Sequence, residues 1–295
     1  MSSEKKVSIV INCLNGEKYL KQCLESIVNQ KYQNFEIIFW DNNSQDKSKK
    51  ILNEYNDLRI KYYFSNKTEK LYIARNKAIK KTDGELIAFL DCDDWWNSDF
   101  LSARKEIFKD MNFDYFYSNT YLYLNKKNKF LPNRKKKLPS GYIHHDLCKD
   151  YFIIISGLIV RRSIFLEIGY FNENYEIIGD FDFVMRIAEK FKAHYCNKFL
   201  LNYRVHENNF SKKNTKMFFE EFKNWYNGIS NNPIFINYLQ HFKNRLNYLE
   251  ISYLIENHKN FNLLVKILKH KVKIEKIKLF ILFIMPAKIV SFLRK

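Results

Sequence analysis

Residues 7–46 read VSIVINCLNGEKYLKQCLESIVNQKYQNFEIIFWDNNSQD, and this stretch decides the fold class. Val7–Ile11 and Phe35–Trp40 are short apolar runs of strand length, rich in β-formers. Between them Leu20, Cys23, Leu24, Ile27 and Val28 fall at helical spacing, so the stretch is a strand–helix–strand unit. Ser44 or Asp46 is placed to cap a second helix whose apolar side carries Ile51, Leu52 and Tyr55. A strand near Arg59–Phe64, a helix near Leu71–Lys81 and the strand Leu86–Leu90 follow. This alternation predicts an α/β domain with a mostly parallel sheet covered by helices on both faces. Ligands of such sheets gather beyond the C-terminal ends of the strands. Three polar clusters sit at those ends: Asn12–Glu17, Asp41–Asp46 and Asp91–Asp94.

Downstream, Phe113–Leu124 reads as a strand, Asn125–Pro139 as a basic loop, and Ile153–Val160 as another apolar strand. Ser163–Ile168 reads as a short helix stopped by Gly169, Phe181–Phe191 as a longer one, and Cys196–Val205 as a strand. From about Thr215 the pattern is helical, which places a domain boundary near residue 212 and divides the chain into 1–211 and 212–295. The 295 residues are 46% hydrophobic and 17% aromatic, which excludes a disordered chain. Five scattered cysteines without a C-x-x-C pair argue against a disulfide scaffold or a thiolate zinc site. They suit a reducing compartment. The run after MSSEKK is too short for a signal-peptide core or a span, so the expected location is the cytoplasm.

The segment Asp91-Cys92-Asp93-Asp94 sets three carboxylates in four residues directly after a buried strand. Carboxylates this close repel, and a cation keeps them ionised together. Hard oxygen ligands suit Mg²⁺ or Mn²⁺ held by one or two carboxylates plus phosphate oxygens. The alternative is a solvated turn that caps a helix after Ser98.

Five ordered blocks carry a resemblance: VSIVINCLNGEKYLKQCLESIVNQKYQNFEIIFWDNNSQDKS, LYIARNKAI, DGELIAFLDCDDWW, SGLIVRRSIFLEIGYFNENYEIIGDFDFVMRIA and YRVHENNFS. From Val7 to about Ser211 the chain resembles family 2 glycosyltransferases of the GT-A fold. That resemblance implies a Rossmann-like sheet with a helical C-terminal extension. It also implies transfer of a sugar from a nucleotide-diphosphate donor, a UDP-sugar first of all, to a glycan or lipid-linked acceptor. Inversion at the sugar carbon and a part in bacterial surface-glycan assembly go with it.

The resemblance assigns roles residue by residue. Asp93 and Asp94 contact the metal, and Asp91 leans on the ribose or the metal. Asn12, Asn15 and Glu17 shape the nucleotide pocket, unless Asn15 merely closes its turn. Asp41 and Asn42 match an acidic pair of which one member pairs with the base. Here the second position is Asn42, whose amide can still hydrogen-bond a nucleobase edge. Leu14 replaces a frequent Tyr. Arg75 pairs with the diphosphate or is a plain surface arginine. Asp180 is the general base, matching the Asp after the family's Glu, whose place Gly179 takes. Asp182 and Arg186, at i and i+4, read as a structural ion pair. His206 reaches the metal or diphosphate, or is a surface histidine. Trp95 and Trp96 either offer a face to a sugar or pack under the metal loop.

The formal charge of +18 points to an anionic partner, or to an AT-rich genome that inflates lysine. The last 84 residues hold 16 Lys/Arg against 5 Asp/Glu. Their apolar stripe, Ile274, Ile277, Ile281 and Ile284, reads as a basic amphipathic helix on an anionic membrane face. A helix packed on the enzyme or on a dimer partner is the alternative. Two other functions compete with catalysis. A non-catalytic donor binder is compatible with Asn42 and Gly179, whereas a nucleic-acid binder leaves the acidic strand ends without a reason.

Overall fold

The computed structural model describes residues 5–104, 112–257 and 260–284. The chain divides into two compact units. The first runs to Val205 without residues 148–150, and the second holds those three residues and everything from His206. His206 therefore falls on the far side of the division, which lies six residues before the boundary expected near 212.

In the first unit β1 (Val7–Cys13), β2 (Phe35–Asp41), β3 (Ile60–Phe64) and β4 (Leu86–Phe89) form a parallel sheet in the order β3-β2-β1-β4. Helices α1 (Leu20–Val28), α2 (Ser48–Asn53) and α3 (Leu71–Ile79) alternate with these strands. All seven residues of β1 and of β2 are buried, as expected for central strands covered on both faces. Helix α1 turns Leu20, Cys23, Leu24 and Ile27 into that core. The register pairs Cys13 with Asp41, so β1 and β2 end level and release their polar loops side by side.

Beyond β4 the sheet becomes mixed, with antiparallel pairs among its strands. β8 (Leu158–Arg161) is antiparallel to β4, and β6 (Tyr115–Leu124) is antiparallel to β8. β9 (Ala193–Val205) is parallel to β6, and the short β5 (Trp95–Trp96) is antiparallel to β9. The whole is one mixed nine-stranded sheet.

The basic loop expected over Asn125–Pro139 contains structure. β7 (Lys129–Pro132) returns against β6 as a hairpin, with Asn128 in the left-handed region at φ +46°. Asparagine tolerates that conformation, and no glycine marked the turn. The apolar run Ile153–Val160 is strand only in its last part, since Ile155–Gly157 forms a 3-10 turn first. The remaining helices of this unit include α5 (Ser163–Ile168) and α6 (Gly179–Lys190); α4 (His144–Lys149) lies across the division.

The second unit is helical: α7 (Phe210–Lys213), α8 (Thr215–Ile229), α9 (Leu239–Asn257), α10 (Phe261–Lys269) and α11 (Lys273–Ile284). Ile251, Ile255, Leu263, Ile267 and Leu279 form its core cluster, with Leu282 and Phe283 packed against it. Asn260 caps α10 by accepting the Leu263 N–H at 2.9 Å. The opposite face of α11 exposes Ile274, Ile277, Ile281 and Ile284. Pro286 and Lys288, which interrupt the apolar run in the sequence, lie outside the described residues. No helix among the described residues is long and apolar enough to cross a membrane.

Candidate active site

The loops after β1 and β2 are laced together through their polar groups. Asn15 sits at φ +54°, its Oδ1 accepting the Gln45 N–H at 2.8 Å while its own N–H donates to Ser44 Oγ at 2.9 Å. Gly16 N–H donates to Ser48 Oγ at 2.9 Å, in a space where a Cβ would come within 2.8 Å of Cys13 Sγ. Glu17 N–H donates to Asp46 Oδ2 at 2.9 Å, and Glu17 Oε2 accepts the Lys47 N–H at 3.0 Å. Asn15 and Glu17, both expected in the nucleotide pocket, thus tie one loop to the other.

Asp41 and Asn42 are similarly occupied. Asp41 accepts the Ser44 N–H at 2.8 Å and the Tyr62 hydroxyl at 3.0 Å. The Asn42 amide clasps the main chain of Glu69, donating to its carbonyl at 2.8 Å and accepting its N–H at 3.1 Å. One N–H and one lone pair of the amide remain for a further partner such as a nucleobase edge. Asn12 is the contrast: it is 9% exposed at the end of β1, and neither its Oδ1 nor its Nδ2 has a protein partner. A buried amide with both ends unmet carries a desolvation cost that a ligand with a donor and an acceptor would relieve.

The loop after β4 is built differently. Asp91 Oδ1 lies 2.6 Å from Arg75 Nη2, and the Asp91 side chain is 35% exposed. Arg75 is not a surface residue, being 2% exposed among the rings of Tyr72, Phe89 and Phe171 at 5.5–5.9 Å. Desolvation pushes the Asp91 carboxyl up to about 6; Arg75 pulls it down, while Asp93 and Asp180 push it up. Asp94 is 1% exposed and turned inward, accepting the Ser156 hydroxyl at 2.7 Å and the Arg204 backbone N–H at 2.8 Å. Burial pushes its carboxyl well above the usual range, with Asp93 and Asp91 adding to the shift.

Arg204 holds this loop from β9. Its Nε donates to the Asp93 carbonyl at 2.8 Å and its Nη1 to Asn125 Oδ1 at 3.1 Å. Its guanidinium lies 4.4 Å from the Tyr19 ring centre and 4.5 Å from that of Trp95. Trp95 also meets Tyr123 and Phe130 edge-on. Trp96 instead packs below the loop, stacked on Phe100 at 3.8 Å with its Nε1 donating to the Ser156 carbonyl.

Asp180 begins α6 and belongs to the same electrostatic cluster. Its Oδ1 accepts the Phe181 N–H at 2.7 Å and lies 3.3 Å from the Tyr72 hydroxyl. Burial pushes its carboxyl up, against the pull of Arg75, the Phe181 N–H and Tyr72. Asp182 pairs with Arg186 at 3.0 Å across one helical turn.

Of the expected metal ligands, Asp93 and Asp94 lie in the first unit and His206 in the second. Among the described residues no group of three or more His, Cys, Asp and Glu side chains is arranged to hold a metal ion. Asp94 is committed to Ser156 and Arg204, and His206, in the second unit, accepts the Asn208 N–H at Nδ1 at 3.1 Å. The sequence reading missed Tyr72, Ser156 and Arg204. Arg204 stood in a quoted block, YRVHENNFS, where attention went to the histidine.

Residues 8–169, more than half of the chain, match the family model for glycosyl transferase family 2. The chain is 29% identical over 213 residues to the Escherichia coli UDP-Glc:alpha-D-GlcNAc-diphosphoundecaprenol beta-1,3-glucosyltransferase WfaP, covering 71% of this chain and 81% of the relative. It spans 24–40% of the length of several other curated relatives. Among solved structures, S. aureus TarS residues 1–349 superimposes with a TM-score of 0.65 at 19% identity, covering 88% of this chain and 79% of the other. The Pyrobaculum calidifontis mannosyltransferase PcManGT, in complex with GDP-Man and Mn²⁺, superimposes at 0.64 with 11% identity, covering 99% and 87%. The mixed sheet is thus that of GT-A glycosyltransferases, and the chain belongs to glycosyl transferase family 2.

Proposed function

We propose that the chain transfers a sugar from a nucleoside-diphosphate donor to a lipid-linked glycan, with inversion, using Asp180 as general base. The observation that carries this reading is the shared electrostatic cluster at the strand ends. Burial raises both Asp91 and Asp180, Arg75 pulls both down, and the Asp180 charge adds to the rise at Asp91. Perturbed carboxyls gathered in this way mark functional sites. In the reaction, Asp180 takes the proton of the acceptor hydroxyl, the freed oxygen bonds to the anomeric carbon, and that carbon's bond to the diphosphate breaks. A raised carboxyl is the stronger base when ionised, so burial of Asp180 serves the step.

Asn12 would meet the nucleoside, since its buried amide offers one donor group and one acceptor without protein partners. Asp91, braced by Arg75, would face the ribose or the cation. Asp93 would be the protein ligand of a hard divalent cation, Mg²⁺ or Mn²⁺, whose other ligands would be diphosphate oxygens. Asp94, buried and held by the Ser156 hydroxyl and the Arg204 N–H, would brace the loop that presents Asp93. Such a cation, when bound, neutralises the leaving diphosphate. Support comes also from WfaP, named for a UDP-Glc donor and a diphosphoundecaprenol acceptor, and from TarS and PcManGT, solved with UDP-GlcNAc and with GDP-Man and Mn²⁺.

Work at the cytoplasmic membrane face agrees with two surfaces. On α11, Ile274, Ile277, Ile281 and Ile284 are exposed beside Lys273 and Lys278. On the β6–β7 hairpin, Phe130 and Leu131 are exposed among Lys126, Lys127 and Lys129. Apolar side chains rimmed by lysine suit an anionic lipid surface.

Donor hydrolysis, assayed on a panel of nucleotide sugars with and without Mn²⁺, tests the reading. Turnover that requires the cation supports it. Binding without turnover would make the chain a non-catalytic donor binder, and tight salt-sensitive binding of DNA or RNA with no donor binding would sink it.

A further inference from the structure

The family's Glu before the base is replaced by Gly179, and the structure shows what fills the vacated space. A Cβ at residue 179 would lie 2.5 Å from two carbons of the Tyr72 ring. Tyr72 is fully buried, stacked on Phe171 at 5.5 Å and beneath the Arg75 guanidinium at 5.5 Å. Its hydroxyl reaches the start of α6, where it accepts the Asp180 N–H at 3.0 Å. The same oxygen lies 3.2 Å from the Ile177 carbonyl and 3.3 Å from Asp180 Oδ1. A tyrosine hydroxyl has one proton, so it donates to one of these two acceptors at a time.

Resting on the assignment of Asp180 as base, we propose that Tyr72 is its positioning residue, with a hydroxyl that follows the charge on the carboxylate. While Asp180 is ionised the hydroxyl donates to Oδ1 and fixes the carboxylate's orientation, because a hydrogen bond to a charged acceptor is the stronger one. When Asp180 takes the acceptor's proton, the hydroxyl turns to the Ile177 carbonyl, and neither oxygen has to move. Burial and Asp180 push the Tyr72 phenol far up, so it remains a donor throughout. Gly179 is the counterpart of this arrangement, since any side chain there displaces the ring that carries the hydroxyl.

The test is a double-mutant cycle on the full chain, with UDP-glucose and UDP-N-acetylglucosamine hydrolysis in Mn²⁺ as the activity readout. Tyr72→Phe keeps the ring and should fold cooperatively, with a melting temperature lowered by loss of the Asp180 N–H's acceptor. Its kcat should fall about tenfold with donor KM unchanged. In an Asp180→Asn background the same change should cost less than about twofold, because the group it serves is gone. Equal losses in both backgrounds would reduce Tyr72 to a packing residue and overturn the proposal. A readout free of turnover is the ¹³C titration of the Asp180 carboxyl. Tyr72→Phe should move it upward, since a donor to the ionised form is lost; no movement also overturns the proposal. If neither donor is hydrolysed by the unsubstituted chain, the transferase reading fails with those donors, and the titration still decides the part of Tyr72.

Discussion

Two acidic loops leave the same edge of the sheet and reach opposite electrostatic outcomes. In the loop after β2, desolvation works to raise the Asp46 carboxyl, but the Ser48 hydroxyl and the N–H groups of Glu17 and Ser48 hold it below the usual range. In the loop after β4, desolvation pushes up both Asp91 and Asp94, with Asp93 and Asp180 adding at Asp91 and Asp93 and Asp91 adding at Asp94. Hydrogen-bond donors from side chain and main chain make the first cluster a fastener. The second gathers charge that its surroundings only partly offset, and stored charge of this kind is what a cationic or proton-transferring site uses. An acidic cluster at a strand end therefore does not by itself announce chemistry, and what distinguishes the two is the supply of hydrogen-bond donors.

The largest effect expected from this division is at Asp180, which shares the raised set. Asp180→Asn should keep donor affinity and lose on the order of 10²–10⁴-fold in turnover. If donor binding falls instead and turnover at saturating donor survives, Asp180 belongs to the donor pocket.

Asp93 and Asp94 then separate cation binding from support. Asp93→Ala should abolish Mn²⁺-stimulated turnover with little change in melting temperature. Asp94→Ala should cost activity and, in addition, about 1–3 kcal/mol of stability, because it strips the buried Ser156 hydroxyl and Arg204 N–H of their acceptor. Equal melting temperatures for the two variants would refute the inward role of Asp94.

The fastener side should show itself in stability and not in chemistry. Asp46→Ala should cost about 0.5–2 kcal/mol in urea unfolding at neutral pH. The Asp46 carboxyl is lowered in the folded state, so its contribution is present above the unfolded carboxylate value, about 4. It is lost as pH falls through the lower folded value. The gap between Asp46→Asn and the unsubstituted chain should accordingly close in acid, and a gap that widens there would contradict the hydrogen-bond origin of the shift.

The smallest effect concerns the second unit. Truncation after Lys271 is a poor probe because it removes Leu279, Leu282 and Phe283 from the core cluster as well as the exposed stripe. Replacing Ile274, Ile277 and Ile281 by Ser leaves that core intact and should weaken co-sedimentation with anionic vesicles severalfold. Salt should weaken the intact protein's binding in the same assay, since lysines act across a Debye length. Indifference of the intact chain to vesicles would return the stripe to the role of a protein contact.

The sequence by itself determined the parallel half of the sheet, because β1, α1 and β2 carry periodicities that local chemistry alone produces. It also determined that polar residues stand together at the strand ends, since strand length and loop position follow from the same pattern. Helix Ser163–Ile168 and the Asp182–Arg186 pair were legible for the same reason, being local in the chain. Tertiary structure alone decided the antiparallel half, including the β6–β7 hairpin turned at Asn128 without a glycine. It alone decided that Asn42 grips Glu69 while Asn12 is left unmet, and that Asp94 points down to Ser156 and to Arg204, 110 residues away. Those outcomes depend on donors brought from distant strands, and no spacing rule within one loop encodes which donor arrives.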